Sequence, residues 1–157
     1  MIIEKFNLKA QESIESACRL AVEKDHSVVT PWHLLSTLLE VKNSIGRQYL
    51  EQTSIDLVKL TELVNAQLGL QPRAARNAQQ TPINRDLERL FIYAEKSALS
   101  IGDKYIGINH LLLSFWELEE LGLVLNEVGG SKETLLNVFG NMIRSGYTST
   151  ENTGQFE

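Results

Sequence analysis

Two stretches decide the fold: Val29-Thr30-Pro31-Trp32-His33-Leu34-Leu35 and, 77 positions further on, Ile106-Gly107-Ile108-Asn109-His110-Leu111-Leu112. Sliding the whole sequence by that interval also places Asn7 on Asn84, Ala17 on Ala94, Ala21 on Ala98 and Glu40 on Glu117. Similar residues fill the gaps, with Phe6 on Ile83, Ile14 on Phe91, Val22 on Leu99 and Leu38 on Phe115. After a two-residue slip, Leu50 falls on Leu125, Leu60 on Leu135, Val64 on Phe139 and Leu68 on Ile143. Self-similarity at a fixed interval marks a duplicated unit, here two copies of about 70 residues.

Within each copy the apolar residues recur at helical spacing. Ile14, Ala17, Cys18, Ala21 and Val22 form an i, i+3, i+4, i+7, i+8 stripe, answered by Phe91, Ala94, Ala98 and Leu99 with Glu95 interrupting it. Each copy therefore opens with a helix of about 17 residues. A polar turn follows (Asp25-His26-Ser27 and Gly102-Asp103-Lys104), then two extended residues. Thr30 as N-cap and Pro31 at the first helical position start the next helix, expected over 32–41. Further helices are expected over 45–52 and 56–68, and over 121–128 and 131–143, with Gly69 and Gly129-Gly130 as breaks. No strand pattern competes. The expected fold is all-α, an eight-helix bundle built from two pseudo-twofold-related four-helix repeats that share one core, since neither is large enough to bury its stripes alone. The domain runs over 1–145, with repeat one about 1–70, a proline-bracketed linker 71–82 and repeat two 83–145; residues 146–157 read as a flexible tail.

Composition excludes several function classes. The chain has 157 residues, 43% hydrophobic and 22% charged, as a globular domain with a sizeable interior requires. Fifteen Lys+Arg against twenty Asp+Glu leave a net charge of −5, and no basic block offers the electrostatic footprint of a nucleic-acid binder. The one cysteine, Cys18, rules out an intrachain disulfide, fits a reducing compartment and lies on the apolar stripe as a core residue. Apolar runs stop after a few residues, and Glu4 and Lys5 follow Met1-Ile2-Ile3 without a signal-peptide core, so neither a membrane nor secretion is expected and the location is read as cytoplasmic.

No P-loop, HExxH, CxxC or GxSxG pattern occurs, so the chain itself is expected not to be an enzyme and to hold no metal. His33 and His110 share one repeat position in the first turn of a helix and are assigned to helix-start architecture, whereas His26, in a polar turn, is expected to be exposed. Glu117-Leu118-Glu119-Glu120 reads as a solvated helix end, and Arg73, Arg76 and Arg85 as solvated linker charges. What remains is protein recognition. Trp32, behind Pro31, is expected to be half exposed, with Tyr105 in the corresponding approach, either as partner anchors or as plugs of the seam between copies. Asn7, Asp103 and Asn109 stand at helix starts or turns, where free N–H groups attract peptide carbonyls and where capping is the alternative role.

Lys5-Phe6-x-x-Lys9-Ala10-Gln11, Thr30-Pro31-x-His33-Leu34-Leu35 and Gly107-x-Asn109-His110-Leu111-Leu112-Leu113 together resemble the doubled signature of the N-terminal Clp repeat domain of the Clp ATPase chaperones, over residues 1–145. Within that family the sequence is most similar to the ClpB disaggregase branch, and Met142 to Asn152 resembles the stretch that leads toward its first ATPase ring. The resemblance implies a substrate-recognition module that binds unfolded or aggregated polypeptide and delivers it to an ATP-driven pore. It also implies ATP and Mg only in ATPase domains outside this chain, a monomeric isolated domain and a hexameric parent. The alternative is an adaptor- or partner-docking domain of the ClpA or ClpC type, or of a type VI secretion Clp ATPase. By the same resemblance, the substrate-binding positions fall on Asn7, Asp103 and Asn109, and an apolar patch falls on Tyr93, Ser97 and His110. The acids that read phosphoarginine in ClpC are replaced by Trp32 and Asn109, which cannot pair with a guanidinium as a carboxylate does.

Overall fold

A computed structural model describes residues 2–41, 44–74 and 81–144. The helices are α1 (Leu8–Glu23), α2 (Pro31–Glu40), α3 (Ile45–Glu51), α4 (Leu57–Gly69), α5 (Arg85–Ser100), α6 (Ile108–Ser114), α7 (Glu119–Glu127) and α8 (Lys132–Arg144), with short 3-10 turns at Ile3–Lys5 and Phe115–Glu117. The all-α expectation holds, and among the described residues the extended backbone forms only isolated bridges. The expected termini are met to within two residues; α7 starts earlier than its leucines suggest, at Glu119, because Leu118 is already the extended N-cap residue after the 3-10 turn. Residues 75–80 of the linker, Arg76 with them, and the tail 146–157 lie outside the described residues.

Capping sets the starts. Asn7 accepts from the Ala10 N–H at 2.9 Å and its repeat mate Asn84 from the Leu87 N–H at 2.9 Å, so each copy opens its long helix in the same way. The stripes then go inward: Ile14, Ala17 and Ala21 of α1, and Phe91, Ala94 and Ala98 of α5, are buried. The stripe is narrower than the spacing alone indicates. Val22 and Leu99 are 57% and 70% exposed because eight residues along a helix turn a side chain by most of a right angle from the first stripe position, and Cys18, four residues along and on the same side, is half buried.

The copies are joined by exchange. The Asn7 N–H donates to the Ile106 carbonyl (2.9 Å) and the Ile106 N–H to the Lys5 carbonyl (2.8 Å); in mirror fashion the Asn84 N–H donates to Val29 (2.9 Å) and the Val29 N–H to Pro82 (2.8 Å). Each repeat thus gives its leading segment to the other's extended pair, as an isologous contact requires. Phe6 is carried across to meet Phe91 edge to face, ring centroids 5.4 Å apart. At a second crossing the Ser54 hydroxyl donates to the Gly129 carbonyl at 2.9 Å, and these two residues are themselves repeat mates. Gly129 has φ +97°, and a Cβ there would lie 2.9 Å from the Ser54 carbonyl oxygen, so the turn between α7 and α8 needs glycine twice over. Tyr49 of α3 and Phe139 of α8 close the same end edge to face, and the buried apolar residues of both repeats form one core. No helix among the described residues is long and apolar enough to cross a membrane.

Candidate functional site

The two repeat-equivalent histidines are helix caps of an unusual kind. At α2 the Thr30 N–H donates to His33 Nδ1 at 2.9 Å while the Thr30 hydroxyl accepts from the Trp32 N–H at 3.2 Å. At α6 the Gly107 N–H donates to His110 Nδ1 at 2.7 Å. The imidazole therefore replaces the glutamate of a capping box and satisfies the N-cap amide from inside the core. Since Nδ1 accepts, the neutral ring carries its proton on Nε2. That proton goes to different partners in the two repeats: His110 Nε2 donates to Asp103 Oδ2 at 2.7 Å, whereas His33 Nε2 donates to His26 Nδ1 at 2.7 Å.

His26 is thus not the exposed turn residue that its polar neighbours suggest. It is 6% exposed, because Asp25 takes a left-handed φ of 58° and turns the chain so that the ring folds back onto His33. Burial holds His33 down to about 4, with the neighbouring His26 adding to the effect. His26 is lowered too, by burial and then by Lys24 and Arg73. Burial pushes the Cys18 thiol up, away from the thiolate that a nucleophile requires. Among the described residues no three His, Cys, Asp or Glu side chains gather at metal-binding distance.

The structure gathers several of the sequence-derived positions near the approach to α6. Asp103 is about one-third exposed and bonded to His110, Tyr105 is half buried under Lys104, whose Nζ lies 5.4 Å from its ring centroid, and Asn109 is half buried in the first turn. Asn7 arrives there through its bond to Ile106, but it is fully buried as an N-cap, and His110 is 1% exposed, so neither offers its side chain to a partner. Tyr93 and Ser97 stand one turn apart on α5, half buried, and Tyr93 hydrogen-bonds Arg89. Trp32 lies elsewhere and is corrected from half exposed to 6% exposed, since the start of α2 stands in the wall of a cleft whose other side is formed by residues of the second repeat.

Two of the concavities among the described residues offer room for a ligand. A polar cleft of about 560 Å³ opens between the N-terminal ends of α2, α5 and α7 and the end of α4; Trp32 is buried in its wall, and Asp86, Arg89, Glu119, Glu120, Gln67 and Gln71 supply the polar lining. A hollow of about 500 Å³ lies where the leading segment crosses α5, lined by Ile2, Phe6, Ile83, Phe91, Ile92 and Ile106, with Lys5, Glu88 and Glu95 at the rim. Lys5 and Glu95 are paired at 2.5 Å, leaving the apolar floor as the attractive feature. Ile2 and Ile92 are 58% and 47% exposed at its mouth. None of the residues chosen from the sequence lines this hollow. The available signal was Ile92, an isoleucine one position off the α5 stripe, and Phe6, whose burial partner belongs to the other repeat.

A family profile for the Clp repeat (R) N-terminal domain matches residues 5–128. The chain is 34% identical over 115 residues to the chaperone protein ClpB of Chlamydia muridarum, covering 73% of this chain and 13% of that protein. It is 32% identical over 143 residues to ClpB of Pseudomonas putida, covering 90% of this chain and 17% of the relative. The chain therefore spans between about an eighth and a sixth of the length of these curated relatives. Among solved structures it superposes on the N-terminal domain of Hsp104 from Candida albicans with a TM-score of 0.75 at 19% identity, covering 90% of this chain and 92% of that one. It superposes on the ClpV N-domain in complex with a VipB peptide with a TM-score of 0.68 at 20% identity, covering 85% and 83%.

Proposed function

The chain belongs to the Clp repeat N-terminal domain family, and from that premise we propose that it is a polypeptide-binding module of a ClpB-type disaggregase that captures apolar segments of unfolded or aggregated proteins in the hollow at the repeat seam. The observation that carries this reading is the hollow itself. An unfolded chain differs from a folded one chiefly in the apolar side chains it leaves in water, and a lining of six aliphatic and aromatic residues, two of them half-open isoleucines at the mouth, favours burying them. Delivery to a pore, hexamer formation, and ATP and Mg binding belong to the domains of the longer relatives, and the module itself takes no cofactor and performs no turnover.

Affinity should be modest. A shallow site with few anchors yields about −5 to −8 kcal/mol, micromolar or weaker. The test is fluorescence anisotropy with an unfolded, apolar labelled peptide. Ile92→Ser is expected to weaken binding about tenfold, the value of one aliphatic side chain left in water. Leu136→Ser, an equally exposed leucine on α8, is expected to change nothing. Equal affinity for both variants contradicts the reading.

A second reading has support from the structural neighbour that carries a VipB peptide: docking of one defined partner segment. It is separated from the first by selectivity. A docking domain binds one sequence in a fixed ratio and ignores unrelated unfolded chains, whereas the capture module binds them in proportion to their apolar content.

A further inference from the structure

We propose that the His26–His33 pair is an acid-sensitive latch: protonation releases residues 71–74 from the turn 25–29 and opens the first-repeat wall of the polar cleft, while the corresponding Asp103–His110 pair of the second repeat keeps its bond. Three observations meet here. The first is that the pair has room for one proton. His33 Nδ1 is occupied by the Thr30 N–H, His33 Nε2–H points at His26 Nδ1 across 2.7 Å, and both rings are buried. A proton added at His26 Nδ1 sets two N–H groups face to face, and one added at His33 Nδ1 sets the ring against the Thr30 N–H. Either addition breaks a bond that holds the α2 start.

The second observation is the charge around the pair. Lys24 on the same turn and Arg73 on the segment packed over it are cations, and among the described residues Asp25 is the carboxylate acting on the site. An imidazolium here is buried beside like charges, so the proton is accommodated by opening rather than in place. The depressed titration of both rings agrees with this.

The third is what the latch holds. The Ser27 N–H donates to the Pro72 carbonyl and the Ala74 N–H to the Asp25 carbonyl, each at 2.8 Å, and His26 bridges Arg73 between them. Gln71, Thr30 and Trp32 line the cleft, so release of this segment and of the Thr30 cap reshapes its wall. In the second repeat the same position holds Asp103. A carboxylate accepts the Nε2–H of a neutral or a charged imidazole alike, so the Asp103–His110 bond survives protonation, whereas the bond between the two rings of the first repeat does not. A proton at Nδ1 opposes the N-cap amide equally in both repeats, at Thr30 and at Gly107.

The experiment is amide hydrogen exchange by NMR between pH 7.5 and 5.0, corrected for the intrinsic pH dependence, with the Asp103 and Ile106 amides, which bond backbone carbonyls, as the internal control. The Ser27 and Ala74 amides are expected to lose at least tenfold in protection relative to the control as pH falls, and His26→Asp, which installs the second repeat's pair, is expected to remove that loss. A loss at Ser27 and Ala74 no greater than at Asp103 and Ile106 across the range, or the same loss in His26→Asp, overturns the latch. Should that variant not fold, the imidazole ¹⁵N shifts of the wild-type chain decide: protonation of the pair with the Ser27 and Ala74 amides unmoved also overturns it.

Discussion

Repeat one and repeat two place a histidine in the same first turn, bond it to the same N-cap amide and then hand its second nitrogen to different chemistry: a buried histidine, His26, in one copy and a partly exposed carboxylate, Asp103, in the other. The cap geometry holds His33 and His110 in place. The residue seven positions earlier satisfies only a ring N–H, and either an imidazole or a carboxylate does so. A duplicated frame therefore keeps its architecture while the second partner of its capping histidine differs between the copies.

The largest expected effect comes from removing the histidines themselves. His33→Leu strands the Thr30 N–H and leaves buried His26 without its donor, an expected loss of about 3 kcal/mol. His110→Leu strands the Gly107 N–H but leaves Asp103 able to reach water, an expected loss of about 2 kcal/mol. Urea unfolding at pH 7 measures both, and the reverse order breaks the comparison. Next comes pH. His33 has a folded value of about 4 against an unfolded value near 6.5, so the unfolded chain binds the extra proton first. Stability is complete above pH 6.5 and falls as pH drops toward 4, by about 2 kcal/mol at pH 5, and His33→Gln should flatten that part of the profile. The smallest contrast is between the caps of the long helices: Asn7→Ala, fully buried, is expected to cost about 1.5 kcal/mol and Asn84→Ala, half buried, about 1 kcal/mol by thermal melting.

Much of the fold was legible because its signals are local and doubled. The 77-residue offset pairs Asn7 with Asn84 and His33 with His110, and both pairs do the same work in three dimensions. The pseudo-twofold follows from that pairing, and the exchange of leading segments at Phe6 and Ile83 is how it is realised. The site was less legible. Trp32 next to a proline at a helix start looks exposed until the second repeat is packed against it, and His26 in a run of polar residues looks solvated until Asp25 turns the chain. Both depend on contacts far apart in sequence. The hollow is harder still, since Ile2, Ile83, Ile92 and Ile106 come from four segments and no spacing links them.

The most direct test of the account is a ¹H–¹⁵N titration of this domain with a permanently unfolded, apolar model protein. The account predicts saturable shifts clustered on Ile2, Phe6, Ile92 and Ile106, around the hollow at the repeat seam. Shifts confined to the cleft beside Trp32, or none at millimolar concentration, contradict it.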